Sequence, residues 1–165
     1  MTGEAGTEEH FRDRAGDRAE VVRRLAGVPD RLATAARSAS GRLVPAGEWG
    51  PSEVVRHLIA VEEVVWHTRL RQLAAADRPT WPWVEPAPWQ GEPDATLDEL
   101  LQTFAQRRGE TVAILDGFDE ATWIRTGVHA TWGEIDVPAL MVRAVDHDDE
   151  HIAGFAEPGT ATAGR

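Results

Sequence analysis

The spacing of apolar residues limits this chain's fold more than any other feature. Along four separate stretches they recur every three or four positions, which gathers them on one stripe of an α-helix. The first stretch covers about Glu8–Ser40, with Phe11, Ala15, Val22, Leu25 and Leu32 in phase, and Gly27 and Pro29 are expected to kink or break it. The second begins at Pro51 and runs to about Ala76. Gly50 is placed to cap it, Pro51 suits the first helical position, and Glu53 sits favourably in the first turn. The third covers about Thr96–Leu115, with Leu97, Leu101, Phe104, Val112 and Leu115 on one side, and Gly117 follows its end. The fourth, about Val137–Phe155, is capped by Asp136. No segment alternates convincingly as a strand, and Thr131–Glu134 is too short to count. The expected class is all-α, a four-helix bundle with one long crossover connection.

That connection is Asp77–Asp94, rich in Pro and Trp. A loop of this length inside a compact domain is commonly functional or a lid. A plain bundle crossover is the alternative. Trp81, Trp83 and Trp89 would then either wall a pocket or pack in a core or interface.

With 165 residues the chain suits a single domain spanning 1–165. Its ordered part is expected at about 8–157, between small and polar ends that read as frayed. A core of this size needs no disulfide and no structural metal, so any metal is expected to be functional. The chain has no Cys, hence no thiol nucleophile and no Cys-zinc site. Net charge is −11, and all 17 basic residues are Arg with no basic stripe among them. Phosphate binding needs a basic face, so nucleic acid is excluded as a main partner. Met1–Asp17 is polar and charged, and no apolar run is long enough to span a bilayer. No membrane association and a cytoplasmic location are expected.

Chemistry points to the histidines. His147 and His151 are four apart on the fourth helix and lie on one face with Leu140, Ala144 and Phe155. Two imidazoles so stacked can share a metal ion, or can simply border a polar layer. His57 lies at the edge of the apolar stripe of the second helix, beside Val54, Val61 and Val65. A lone His there is either hydrogen-bonded in the core or a ligand, and bundle metal sites are built from such inward residues on facing helices. His67 falls on the opposite side, among Arg56, Glu63 and Arg71, and reads as solvated. His129, before the fourth helix, reads as a surface residue that could border the site. His10 carries no argument.

Several charges sit where apolar residues belong. Glu62 and Arg69 fall inside the stripe of the second helix, Arg108 lies between Phe104 and Leu115, and Asp148 faces inward beside the fourth-helix histidines. Buried charges are costly unless paired. A Glu62–Arg108 or Glu62–Arg69 ion pair is expected. The functional alternative is a set of groups that orient a metal-bound His or a substrate carboxylate.

Two blocks of sequence resemble the DinB-like superfamily. In GEWGPSEVVRHLIAVEE, Trp49 precedes a helix start, Glu53 and then His57, eight residues after the Trp. In HATWGEIDVPALMVRAVDHDDEHIAGF, a turn at Gly133 enters a helix that ends in His147 and His151. The likeness runs from about Val21 to Glu157, and Glu62, Arg69 and Arg108 fall where many members look similar. It implies a four-helix bundle with a long crossover, a homodimer, and a divalent metal held by His57, His147 and His151. Characterised relatives include transferases and isomerases that use mycothiol or bacillithiol.

Three nitrogen ligands with open coordination positions suit zinc, nickel or iron in a catalytic site. The leading expectation is transfer of a low-molecular-weight, mycothiol-like thiol to a small electrophilic substrate. The rivals are hydrolysis by metal-activated water, with Asp148 or Glu150 as base, and a non-catalytic dimeric metal-binding module linked to stress.

Overall fold

The computed structural model describes residues 18–156, so Phe11, Ala15, His10 and the expected frayed ends lie outside the described residues. Helix α1 (Arg18–Ala39) runs past Gly27 and through Pro29 as one helix, so the chain does not break there. Val21, Leu25, Val28, Leu32 and Ala36 form one buried stripe on both sides of the proline. That continuous packing offsets the roughly 3 kcal/mol that an interior proline costs.

The second stretch is a continuous rod with an irregular middle. Helix α2 (Pro51–Val61) starts at the Gly50 cap with Pro51 leading. A π-helical segment (Glu62–His67) follows, and α3 (Thr68–Ala75) completes the rod. A π turn holds an extra residue, so everything beyond it is rotated relative to an ideal α-helix. Helix α4 (Leu97–Asp116) opens with a reciprocal capping box between Thr96 and Glu99. After the single-turn α5 (Glu120–Trp123), the chain reaches α6 (Val137–Gly154), where Asp136 accepts a hydrogen bond from the Ala139 N–H at 2.9 Å. Helix α1 packs against α4 and α6, and α2 packs against α4. Together α1, the rod, α4 and α6 make a four-helix bundle.

A small sheet, not expected from the sequence, closes one side. Strands β1 (Thr80–Trp81), β2 (Thr126–His129) and β3 (Gly133–Asp136) are ordered β1-β2-β3. The β1–β2 pair is parallel and the β2–β3 pair antiparallel. These strands escape a hydropathy reading for a physical reason. The inward positions of β2 are Gly127 and His129, neither of which reads as apolar, and β1 is two residues inside a proline-rich loop. Gly133 takes φ +73 where the hairpin turns, a conformation that glycine adopts without strain. Gly127 answers a close approach: a Cβ there would stand 2.2 Å from the Trp81 ring.

The crossover is held down rather than free. Arg56 donates to the carbonyls of Trp89, Gly91, Glu92 and Pro93, and the Trp89 N–H returns a bond to the Arg56 carbonyl at 3.0 Å. This clamp lies one residue before His57.

Candidate metal centre

His57 projects from α2, and His147 and His151 project from α6. One ring nitrogen from each lies within 4.8 Å of the other two. The ring centroids are 5.5 Å apart for His57–His147, 5.0 Å for His57–His151 and 4.8 Å for His147–His151. The four-residue spacing on α6 stacks its two rings on one face, and the bundle brings α2 alongside. Trp49 tilts against His57 at 5.3 Å, and Trp66 stands edge-on to His147 at 6.5 Å. Burial, reinforced by the neighbouring His147, pushes His57 down to about 4, against which the Pro86 carbonyl and Asp148 act weakly. His151 is likewise held at about 4 by burial and then by His147 and His57. Both rings are therefore neutral at pH 7, with lone pairs available. Among the described residues the Nδ1 atoms of His57 and His147 are buried without a hydrogen-bond partner, and the Asp148 carboxylate lies 3.6 Å from the latter.

Behind the histidines lies a buried set of charges. Arg108 donates from Nη2 to Glu62 and, at 2.6 Å, to Asp148 Oδ2, and all three side chains are out of solvent. The expected Glu62–Arg108 pair forms, and Asp148 joins it. Thr111 donates to the other Glu62 oxygen. His67 Nε2 sits 3.0 Å from the Arg107 carbonyl and 2.9 Å from Thr111 Oγ1. A carbonyl only accepts, so Nε2 carries the proton. Burial pushes the Asp148 carboxyl up, but Arg108 and His147 outweigh it and hold Asp148 below its ordinary value. The Glu62 and Asp148 side chains thus share one guanidinium, beside the three histidine rings.

Two histidines are not where the spacing put them. His67 is buried at 2% exposure rather than solvated. The helical wheel assumes a constant turn, and the π segment ends at His67, rotating it onto α4. His129 is also buried, paired in register with Trp81 and stacked on Trp132 at 3.9 Å. It is no surface residue. The local signal for this burial is the sequence VHATWG, a short hairpin with an aromatic residue three positions after the His.

Arg69 does not pair with Glu62. Its guanidinium lies 5.7 Å from the Trp66 ring, 5.5 Å from Trp81 and 5.8 Å from Trp132, and among the described residues it donates only to the Pro82 carbonyl at 3.3 Å. The same rotation beyond the π turn directs Arg69 toward the sheet instead of into the bundle. Of the crossover tryptophans, Trp81 is buried, Trp89 is half-buried and Trp83 is half-exposed.

The family model of the DinB superfamily matches residues 15–153. The chain belongs to the DinB superfamily. Among solved structures, the chain is similar to YfiT from Bacillus subtilis, described as a probable metal-dependent hydrolase with an unusual four-helix bundle topology. The two share 20% identity over 82% of this chain and 81% of that one, with a TM-score of 0.63. At that identity the likeness establishes the shared fold. No curated protein matches this chain. Among the described residues, no helix of this DinB-superfamily chain is long and apolar enough to cross a membrane.

Proposed function

We propose that His57, His147 and His151 hold a divalent transition metal, and that the protein is a metal-dependent enzyme acting on a small molecule. The observation that carries this reading is the convergence of three ring nitrogens within 4.8 Å, two of the rings neutral at pH 7. The donor set is all imidazole, which suits zinc, nickel or iron better than magnesium or calcium. Three protein ligands leave room for an exogenous one, the usual arrangement of a catalytic site. A bound ion would supply Lewis acidity and lower the pKa of a thiol or water that joined it.

Transfer of a low-molecular-weight thiol such as mycothiol is the activity we favour. The chain contributes no thiol of its own, so the nucleophile must come from a cosubstrate. Thiolate chemistry also needs no carboxylate base, and of the two that the sequence suggested, the one beside the triad is already engaged. Asp148 is buried and bonded to Arg108, and Glu150 is exposed. Hydrolysis is the second reading, favoured by the description of YfiT as a probable metal-dependent hydrolase.

The test is metal analysis of untagged protein, followed by mycothiol conjugation assays against a panel of electrophiles and parallel ester and amide hydrolysis assays. About one metal per chain, lost in His147→Ala, with conjugation but no hydrolysis, is the expected result. Less than about 0.2 metal per chain after zinc or nickel is added would rule out the triad. Hydrolysis without conjugation would establish the second reading.

A further inference from the structure

Beside the triad is a second polar group with no role in it. Arg69, His129 and Trp66 are 4%, 1% and 3% exposed. Among the described residues, no carboxylate lies within ion-pair distance of Arg69, and burial alone pulls its guanidinium down to about 10. Its fork is left with a single long bond to a carbonyl. His129 Nδ1 accepts from the Thr131 N–H at 3.0 Å and the Trp132 N–H at 3.3 Å. Backbone N–H groups only donate, so the ring proton sits on Nε2. That Nε2–H is buried without an acceptor, and so is the indole N–H of Trp66. Two residues with orphaned donors thus neighbour a buried cation that has no carboxylate partner among the described residues. A buried donor without a partner is costly, and native proteins rarely keep one without a reason.

The cage is aromatic. Trp66, Trp81 and Trp132 surround the Arg69 guanidinium, and Trp83, 52% exposed, stands edge-on to His129 and Trp132. Arg143 lies over Trp132 at 4.2 Å and adds positive potential. Trp66 is a shared wall, since its ring also faces His147. An anion held here therefore lies one tryptophan away from the histidine triad.

We propose that Arg69, His129 Nε2–H and Trp66 Nε1–H form a recognition site for the carboxylate of a monoanionic substrate with an apolar body. A guanidinium fork matches a carboxylate in shape and charge, and the two neutral N–H groups complete its oxygens. The indole walls suit an apolar remainder. As substrate recognition this inference rests on the metal-centre reading, but the anion site itself stands on different residues.

Benzoate and inorganic phosphate, titrated separately into full-length metal-free protein and followed by calorimetry and tryptophan fluorescence, test it. Benzoate should bind saturably with Kd on the order of 1 mM or tighter. Arg69→Met should weaken binding at least tenfold, and His129→Phe should weaken it severalfold. Arg69→Lys should fall between wild type and Arg69→Met, and it carries the test if Arg69→Met does not fold. His147→Ala should bind benzoate as the wild type does, even with its metal site lost. Absence of saturable benzoate binding, binding of phosphate alone, or equal affinity in the wild type and the Arg69 variants would overturn the proposal. So would loss of binding in His147→Ala with retention in Arg69→Met, because the anion would then sit on the triad. Metal analysis, read separately, reports on the metal centre whatever benzoate does.

Discussion

Arg108 on α4 donates to Asp148 on α6 across 2.6 Å, with both side chains out of solvent. The other Asp148 oxygen lies 3.6 Å from Nδ1 of the adjacent His147. The carboxylate thus stands between the charge network and the triad, turned to both.

That position predicts a separation of effects. Asp148→Asn keeps the shape but removes the charge that faces His147. Residues that orient metal ligands typically change affinity by 10–100-fold, and a loss in about that range is expected from chelator competition. An unchanged zinc affinity would show that Asp148 serves the fold alone.

Arg108→Met should destabilise the protein by about 3–5 kcal/mol in denaturant unfolding, because it strands the Glu62 and Asp148 carboxylates. Adding Glu62→Gln and Asp148→Asn to that variant should recover part of the loss, since no unpaired charge remains.

His67→Ala is predicted to cost about 2–4 kcal/mol of stability while leaving metal content unchanged. The ring hydrogen-bonds Thr111 and the Arg107 carbonyl on α4, on the other side of the Glu62–Arg108 pair from the triad. His147→Ala should do the opposite, emptying the metal site with a smaller change in unfolding midpoint. Equal metal loss in the two variants would contradict this division of roles.

The bundle was legible because its helices are amphipathic and capped by residues whose preferences are local, such as Gly50 with Pro51 and Asp136. Helical spacing placed His57, His147 and His151 on inward faces, because His57 precedes the π segment and the fourth-helix pair lies on a regular helix, but grouping the three into one triad was what the family resemblance implied. The errors begin where regularity ends. His67 and Arg69 lie at or beyond the wide turn, so a constant-angle wheel assigns them the wrong side. His129 is buried by a parallel pairing with Trp81, forty-eight positions earlier in the chain, and no local pattern reports such a contact.

Gly127→Ala should disturb the cage without touching its polar groups. A methyl group 2.2 Å from the Trp81 ring must displace that ring, which walls Arg69. Overpacking of this kind costs about 1–3 kcal/mol. Near-ultraviolet circular dichroism should register the moved indole, and an unaltered spectrum with full stability would count against the packing described.

Stability should also fall on mild acidification. Burial first, then Arg69 and Arg143, hold His129 at about 4, below its ordinary 6.5. The unfolded chain takes up a proton below that ordinary value while the folded protein resists until about 4. The contribution of a neutral His129 is therefore complete above 6.5 and is lost as pH falls through the folded value. His129→Gln should flatten the dependence of unfolding free energy between about pH 7 and pH 5. Equal slopes in the two proteins would remove His129 from the account.

The π segment also makes chain length a determinant of chemistry. Val64 lies within it and is exposed, so removing this one residue would delete no core contact, yet it would let the rod wind as an ordinary α-helix. Everything from Val65 onward would then swing about the axis while His57 stayed in place. Trp66 and Arg69 would leave the side they share with His147 and the sheet. The spare residue works as a phase shifter between two regular gears, and a single-codon deletion would uncouple the histidine end of the rod from the arginine end.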